Sequence, residues 1–166
     1  IHCNLCVRAC REVQVNDVIG MSGRGAASKI VFDVNDPMGD SSCVACGECV
    51  QACPTGALMP AALLDSAQVG ERDSDQLVDS ICPYCGVGCQ MTYHLMNGKI
   101  RHIEGLDGPA NEKRLCVKGR FGFDYIEHPH RLTKPLIRKD GVAKSGTDTV
   151  DPANPLTHFR EASWEE

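Results

Sequence analysis

Eleven cysteines in three tight groups constrain this 166-residue chain more than any other feature of its sequence. The groups are Cys3, Cys6 and Cys10; Cys43, Cys46, Cys49 and Cys53; and Cys82, Cys85 and Cys89 with Cys116 further on. Three cubane iron-sulfur clusters require three sets of four thiolates, and the count is one short. The opening I-H-C-N-L-C-V-R-A-C completes a C-x2-C-x2-C-x3-C run if a cysteine stands directly before Ile1. We therefore expect a fragment that begins inside a ligand motif.

The amino-acid composition argues against several classes of protein. With 5% aromatic residues the chain can build one or two small cores, so we expect bound metal to hold part of the fold. The net charge of -5 and the lack of a basic run argue against nucleic acid as a partner. The longest apolar stretch, residues 57–64, is short and contains Pro60, so it cannot cross a bilayer. We expect neither a nucleic-acid partner nor a membrane association.

Disulfides and zinc are the alternatives for these cysteines. An odd number of thiols in C-x2-C-x2-C runs fits a disulfide framework poorly. Four-cysteine zinc sites usually consist of two separated C-x2-C pairs, in which the third thiol of each run has no place. Zinc is a stronger alternative for the third group, because one C-x2-C-x3-C run with a distant fourth ligand is less diagnostic. His2 is a weak candidate ligand, since its side chain and that of Cys3 point apart.

The cysteine groups also divide the chain into domains, and the predicted fold class is α+β. Residues 1–60 are predicted to form a two-cluster, bacterial-ferredoxin-like 4Fe-4S domain with a hairpin around S-G-R-G at residues 22–25. Residues 61–78 indicate a short helix and a solvated linker. Residues 79–135 should form a small 4Fe-4S domain with a hairpin around Asn97-Gly98, and residues 136–166 should begin a further, truncated domain. A capping box at Ser163 and Glu166 predicts a helix start there.

In the two-cluster ferredoxin arrangement the fourth cysteine of each run serves the other cluster. The ligands predicted for the first cluster are the absent residue, Cys3, Cys6 and Cys53. The ligands predicted for the second cluster are Cys10, Cys43, Cys46 and Cys49. The ligands predicted for the third cluster are Cys82, Cys85, Cys89 and Cys116. Each of the first two clusters would then tie both halves of its domain together.

Specific motifs surround these cysteines. S-I-C-P-Y-C-G-V-G-C-Q-M, followed by R-L-C-V-K-G-R-F at residues 114–121, resembles the N-terminal cluster segment of the molybdopterin oxidoreductases. Together with C-N-L-C-V-R-A-C-R-E-V-Q and C-V-A-C-G-E-C-V-Q-A-C-P-T-G-A-L, it resembles the catalytic alpha subunit of NAD-dependent molybdenum or tungsten formate dehydrogenases. The resemblance extends to about Trp164. It implies that the residues following this segment build a molybdopterin domain.

The resemblance implies an electron relay. Formate would give up electrons at a Mo- or W-bis-molybdopterin guanine dinucleotide site outside this segment, and three 4Fe-4S clusters would carry them toward a beta subunit with iron-sulfur clusters, FMN and NAD. Reduction of CO2 would use the same route. The rest of the alpha subunit and a gamma subunit are further implied partners, and the implied location is cytoplasmic. Lys118, in the C-x-K-G-R motif, would lie between the third cluster and the pterin as an electron-relay residue. No catalytic residue is expected in this segment.

Two alternatives to this function stay open. One is another enzyme of the superfamily, such as the large subunit of an NADH-quinone oxidoreductase or a nitrate reductase, and the downstream sequence would decide through a metal-ligating cysteine or selenocysteine. The other is a stand-alone polyferredoxin without catalysis of its own. The capping box at Ser163 argues against the second alternative, because it predicts that a helix continues beyond this segment.

Overall fold

The structure, a computed structural model, describes residues 2–67, 69–144 and 149–166. The cysteine expected before Ile1 lies outside these residues. Two compact units are distinguished, one reaching to Phe123 and the other comprising Asp124–Glu166. Within the described ranges, no helix combines the length and the apolar character needed to cross a membrane. The elements are short helices and small antiparallel sheets, which give a mixed helix and strand fold.

Two short helices carry the first two cysteine groups. Helix α1 (Leu5–Arg8) continues into a π-helical turn over Ala9–Val13, and helix α2 is Glu48–Ala52. Each begins after a left-handed residue, Asn4 at φ 61° and Gly47 at φ 74°. Both residues directly follow the first cysteine of a C-x2-C pair, and asparagine and glycine adopt this conformation at the lowest cost. The two cysteine runs are therefore local structural repeats.

A hairpin fills the stretch between these runs. Strand β1 (Ile19–Ser22) pairs antiparallel with β2 (Lys29–Phe32), and a 3-10 turn lies between them, which confirms the predicted hairpin. A further 3-10 turn, Met38–Asp40, precedes the second cysteine group. The buried core of this part consists of Val7, Cys10, Val18, Ile19 and Cys49. Because two of these five side chains are thiols, the core and the candidate metal ligands share the same residues.

A three-stranded antiparallel sheet carries the third cysteine group. It is formed by β3 (Gln76–Ile81), β4 (Gln90–Met96) and β5 (Lys99–Gly105), with β4 in the centre. Asn97 and Gly98, at φ 53° and 75°, form the tight turn between β4 and β5, as predicted. Helix α3 (Val117–Phe121) follows the sheet and leads into a 3-10 turn, Gly122–Glu127. The core of this part consists of Cys82, Met91, Ile103 and Leu115.

The stretch predicted as a short helix and linker, residues 61–78, is more structured than expected. Its helix is one 3-10 turn, Ala61–Leu63, preceded by Pro60 in an extended conformation. Leu63 is only 2% exposed, so the turn is anchored by burial. Residues 76–78 belong to β3, because their backbone pairs with β4, Val78 opposite Tyr93. The sequence did not predict this strand, because all six of its residues are exposed and it has no buried face.

The unit Asp124–Glu166 contains the third sheet described, which the sequence did not predict. Strand β6 (Leu136–Arg138) pairs antiparallel with β7 (Phe159–Glu161), and a 3-10 turn, Pro155–Thr157, precedes β7. Three residues are too few to show a periodicity. The Glu166 amide donates to Ser163 Oγ at 3.3 Å, as a capping box requires, but the Glu166 carboxylate pairs with Arg160.

Candidate metal centres

All eleven cysteines are free thiols, and their exposure differs systematically. The buried ones are Cys10, Cys46, Cys49 and Cys82. The exposed ones are Cys3, Cys85 and Cys116. The first and third groups therefore combine a buried cysteine with an exposed one, whereas the second group contains only buried and half-buried cysteines.

Cys3, Cys6 and Cys53 face a common cavity of about 250 Å³. Its other walls include Ile30 and Phe32 of β2, so the cavity has an apolar back. Burial raises the pKa of the Cys6 thiol, and the nearby sulfurs of Cys3 and Cys53 raise it further. The structure thus brings together the three cysteines predicted for the first cluster, although 47 positions separate Cys53 from Cys6 in sequence.

The surroundings of Cys53 stabilise its thiolate form. Burial alone would raise its pKa, but hydrogen bonds from the Leu58 amide and from Thr55 outweigh burial and lower the pKa to about 7. The Leu58 amide nitrogen lies 3.5 Å from Cys53 Sγ, and Thr55 Oγ1 lies 3.6 Å from it. Since metals bind the thiolate and not the thiol, this environment favours a ligand role for Cys53.

Cys49, in the second cysteine group, is the thiol whose pKa is shifted most strongly. Burial is the main cause that raises the pKa of Cys49 to about 12, and the neighbouring sulfurs of Cys46, Cys43, Cys10 and Cys6 contribute to the same shift. Isolated thiolates at such a site are unstable, and a bound cation would reverse the effect. The structure therefore brings Cys10 next to the group that it was predicted to complete.

Backbone amides point at sulfurs of this group. Val18 N–H donates to Cys10 Sγ at 3.3 Å, and Ala45 N–H donates to Cys43 Sγ at 3.3 Å. Ala45 has a left-handed φ of 51°, which is costly for alanine and is held by the tight C-x2-C turn. Amide hydrogen bonds to sulfur stabilise negative charge and are one of the factors that set the potential of iron-sulfur clusters.

The third group gathers at one end of the β3-β4-β5 sheet. Burial raises the pKa of Cys89, and the neighbouring sulfurs of Cys82, Cys85 and Cys116 raise it further. The Cys82 amide donates to the Cys89 carbonyl at 2.8 Å, which closes the C-x2-C-x3-C loop. Gly88, at φ 71°, provides the left-handed turn before Cys89. Cys116 is the residue directly before helix α3, so the helix start fixes the fourth sulfur.

A cluster without cysteine also brings potential metal ligands together. The ligand atoms of His94, His102 and Glu104 all lie within 4.8 Å of one another.

The His94, His102 and Glu104 group was not predicted, and its geometry does not favour a metal. The two imidazole rings stack, with centroids 4.0 Å apart and planes 22° from parallel. Ring nitrogens bind metals in the plane of the ring, so stacked rings do not aim at one ion. The positive charges of Arg72 and Arg101 also act on His102. We assign this cluster a structural role in the sheet.

A buried arginine joins the second and third groups, and sequence analysis missed it. Arg120, on α3, is 3% exposed and donates through Nε to the Cys46 carbonyl at 2.6 Å. Its two terminal nitrogens donate to Glu48 and Gln51, each at 2.7 Å. The C-x-K-G-R and C-G-E-C motifs contain both charged partners, but neither motif reveals that they meet.

Two backbone contacts extend this network. Glu48 Oε1 accepts a hydrogen bond from the Leu115 amide at 3.1 Å, and Gln51 Oε1 accepts one from the Gly105 amide at 3.1 Å. Glu48 and Gln51 belong to α2, while Gly105 ends β5 and Leu115 precedes Cys116. The helix of the second group is therefore bound to both the sheet and the ligand loop of the third.

Lys118 lies on α3 with its side chain exposed, two residues after Cys116. This placement is compatible with a contact to a group outside this chain. Its role as a relay stays a prediction. His2 is exposed beside Cys3, and Cys3 lines the first cavity whereas His2 does not.

Two segments of the chain match known protein families. Residues 1–57 match the 4Fe-4S dicluster domain, and residues 75–128 match the molybdopterin oxidoreductase Fe4S4 domain. The first segment contains the first two cysteine groups and the second contains the third group.

Similar proteins carry related names. The chain is 29% identical over 202 aligned positions to a protein named "putative formate dehydrogenase" from Staphylococcus haemolyticus, and a protein of that name from Staphylococcus aureus has the same identity. It is 30% identical over 204 positions to a "probable oxidoreductase" from Bacillus subtilis. Each alignment covers 100% of this chain and 19% of the relative, so the chain spans about a fifth of the length of these proteins. The first two cysteine groups therefore lie in a segment similar to the 4Fe-4S dicluster domain, and the third group lies in a segment similar to the molybdopterin oxidoreductase Fe4S4 domain.

Proposed function

We propose that this chain is the electron-transfer region of a formate dehydrogenase. In this function three 4Fe-4S clusters connect a Mo- or W-bis-molybdopterin guanine dinucleotide site with a beta subunit that holds FMN and NAD, in the cytoplasm. The observation that supports it most is the arrangement of the thiols. Within each set of cysteines assigned to one cluster, neighbouring sulfurs raise the pKa of a member of that set, and both matched domain families are 4Fe-4S families. The names of the relatives supply the substrate.

The donor atoms fit 4Fe-4S clusters. The ligand sets assigned to the second and third clusters offer four thiols each, and the set assigned to the first cluster offers three thiols around a cavity. A 4Fe-4S cluster supplies one-electron redox chemistry when bound.

The residues around the thiols stabilise charge on the sulfurs, exclude water and orient the cysteine side chains. The amides of Val18, Ala45 and Leu58 donate to sulfurs and so stabilise added negative charge on the ligands. Burial of Cys49 excludes water from one side of the second group. Two left-handed residues, Asn4 and Gly47, turn the backbone so that consecutive thiols can face one centre.

The proposal is tested on the full-length protein that contains this chain, purified without oxygen. We expect at least about twelve irons per chain, from three four-iron clusters. Added formate should bleach the visible cluster absorption, and the Cys82→Ser variant should lose about four irons. A stoichiometric zinc content with little iron would reject the cluster assignment.

The same experiment separates the alternatives. Bleaching by NADH but not by formate would favour an NADH-quinone oxidoreductase, and reoxidation by nitrate would favour a nitrate reductase. A full iron content that no such substrate reduces or reoxidises would favour a polyferredoxin. The name of the Bacillus subtilis relative, which specifies no substrate, makes this comparison necessary.

A further inference from the structure

We propose that Arg120 is a positioning residue that fixes the second cysteine group relative to the third. Through the Glu48 and Cys46 contacts it clamps the C-x2-C turn of one group onto the ligand loop of the other. The proposal rests on the proposed function, because its consequence is a defined spacing between the clusters that these groups would hold.

The contacts lie on both sides of Cys116. On one side, the amide of Leu115 donates to Glu48 Oε1 at 3.1 Å. On the other, the Arg120 amide donates to the Cys116 carbonyl at 3.1 Å, and the Arg120 side chain reaches the Cys46 carbonyl. Two attachments that flank the same residue fix both its distance and its rotation. Cys116 is thereby held at a set position relative to the turn between Cys46 and Cys49.

The Arg120 guanidinium acts through the geometry of its hydrogen bonds and not only through its charge. Nε and both terminal nitrogens each have a separate acceptor, on Cys46, Gln51 and Glu48. Lysine offers one compact ammonium and cannot hold three acceptors in this planar arrangement. The conservative substitution Arg120→Lys therefore keeps the charge and loses the geometry, which allows the two effects to be separated.

The ion pair between Arg120 and Glu48 is buried. The side chains of Arg120 and Glu48 are 3% and 7% exposed. Apolar residues of similar volume often stabilise a protein as well as a buried ion pair does, so a pair of this kind contributes most through the specific arrangement that it imposes. Here that arrangement is the alignment of α2 with α3 and β5, through Gln51 and Gly105.

The two Arg120 variants differ in charge. Arg120→Gln leaves the Glu48 carboxylate without its cationic partner at 2.7 Å and so can change a cluster potential as well as the spacing, whereas Arg120→Lys keeps the positive charge. A measurement that reports the distance between two clusters is therefore more decisive than turnover.

The test compares the full-length protein with its Arg120→Lys and Arg120→Gln variants. Both clusters of interest are reduced without oxygen, and their magnetic interaction is measured by electron paramagnetic resonance. Arg114→Gln is the matched control, since this exposed arginine lies two residues before Cys116 and pairs with exposed Glu112. We expect loss of the interaction between the second and third clusters in both Arg120 variants, with iron content retained, and an unchanged interaction in the control.

Each outcome decides one question. An unchanged interaction in Arg120→Lys and Arg120→Gln would overturn the positioning role. An interaction that is unchanged in Arg120→Lys but lost in Arg120→Gln would show that the positive charge is sufficient and that the three hydrogen bonds of the guanidinium are not required. A variant that loses a cluster is replaced by Glu48→Gln, which keeps an acceptor for the Leu115 amide, and the same criterion applies. Absence of the clusters from the unmodified protein would reject the proposed function itself, so the two failures are distinguishable.

Discussion

Gly47 and Arg120 occupy complementary space. A Cβ atom added to Gly47 would collide with Cδ of Arg120 and stand 2.6 Å from its Nε. Gly47 also has a φ of 74°, so its backbone turn and the approach of the arginine both depend on the missing side chain. The second cysteine of this group, Cys46, directly precedes it. One glycine therefore serves both the ligand turn and the arginine contact.

Replacing Gly47 by alanine should displace Arg120 and loosen the second group. We expect a local loss of about 3 to 5 kcal/mol, from left-handed strain of about 1 to 2 kcal/mol and weakened charged hydrogen bonds. Gly25→Ala is the control, because Gly25 also has a positive φ, of 58°, but nothing lies within 4 Å of its added Cβ. Hydrogen exchange over residues 43–53 and 115–121 measures the effect. Equal exchange in the two variants would contradict the predicted collision.

The features that the sequence predicted are local in character. The hairpin at Asn97-Gly98 follows from a two-residue turn signal, and each cysteine group follows from three cysteines spaced within eight residues. The sequence also paired Cys10 with the second group, but only by using the known arrangement of two-cluster ferredoxins. That ligand assignment stays a prediction, although the structure places Cys10 beside Cys49.

The features that the sequence missed depend on long separations or very short elements. Glu48 and Arg120 are 72 positions apart, and each alone has the composition of a surface residue. β6 and β7 have three residues each, which is less than one alternation pattern needs. Tertiary contacts decide such features, and no local propensity records them.

Cys10→Ser should damage the cluster assigned to Cys43, Cys46 and Cys49. The reason is that Cys10 lies among the sulfurs around Cys49, and its own sulfur accepts from Val18 N–H at 3.3 Å. Spectra of the two reduced clusters, recorded on the full-length protein, should show loss of one signal and retention of the other. The comparison variant is Cys6→Ser, which should affect the other cluster. Loss of the same signal in both variants would show that the crossed assignment is wrong.

Lys118→Ala should slow formate oxidation and leave iron content unchanged. Its exposed side chain follows Cys116 on α3 and is free to approach a group outside this chain, so the loss is one charged contact, about tenfold in rate. Lys29→Ala, which removes an exposed lysine from β2, is the control. Steady-state rates with formate and an artificial acceptor provide the measurement. Equal rates for the variant and the unmodified protein would remove Lys118 from the relay.

Acid should destabilise the β3-β4-β5 sheet through His102. Burial, together with the charges of His94, Arg72 and Arg101, lowers the pKa of His102 to about 4. The Glu104 carboxylate, 3.9 Å from Nε2, acts in the opposite sense but does not prevail. Because the unfolded chain titrates near pH 6.5, it binds more protons than the folded chain between pH 6.5 and pH 4. Stability is therefore present above pH 6.5 and is lost as the pH falls toward 4, by about 1 kcal/mol at pH 5.5.

His102→Phe isolates this contribution. Phenylalanine keeps an aromatic ring against His94, and His102 Nδ1 has no hydrogen-bond partner within the described part of the chain, so little else is lost. Hydrogen exchange of β4 and β5 at pH 7.5 and pH 5.5 should show a smaller pH effect in the variant than in the unmodified protein. An identical pH effect in both proteins would assign the acid sensitivity to other groups.

Asn111 is the polar residue that closes the loop before Cys116, and replacing it should open that loop. Its Oδ1 accepts from the Gln90 amide at 2.9 Å, and its Nδ2 lies 3.0 Å from the Gln90 carbonyl and 3.1 Å from those of Leu106 and Arg114. Asn111→Ala leaves these buried groups unpaired, which should cost about 3 kcal/mol. Asn154→Ala, at an exposed site, should change stability by less than about 0.5 kcal/mol. Exchange of the Gln90 amide reports the loss directly, and protection equal to that of the unmodified protein would show that Asn111 does not hold the loop.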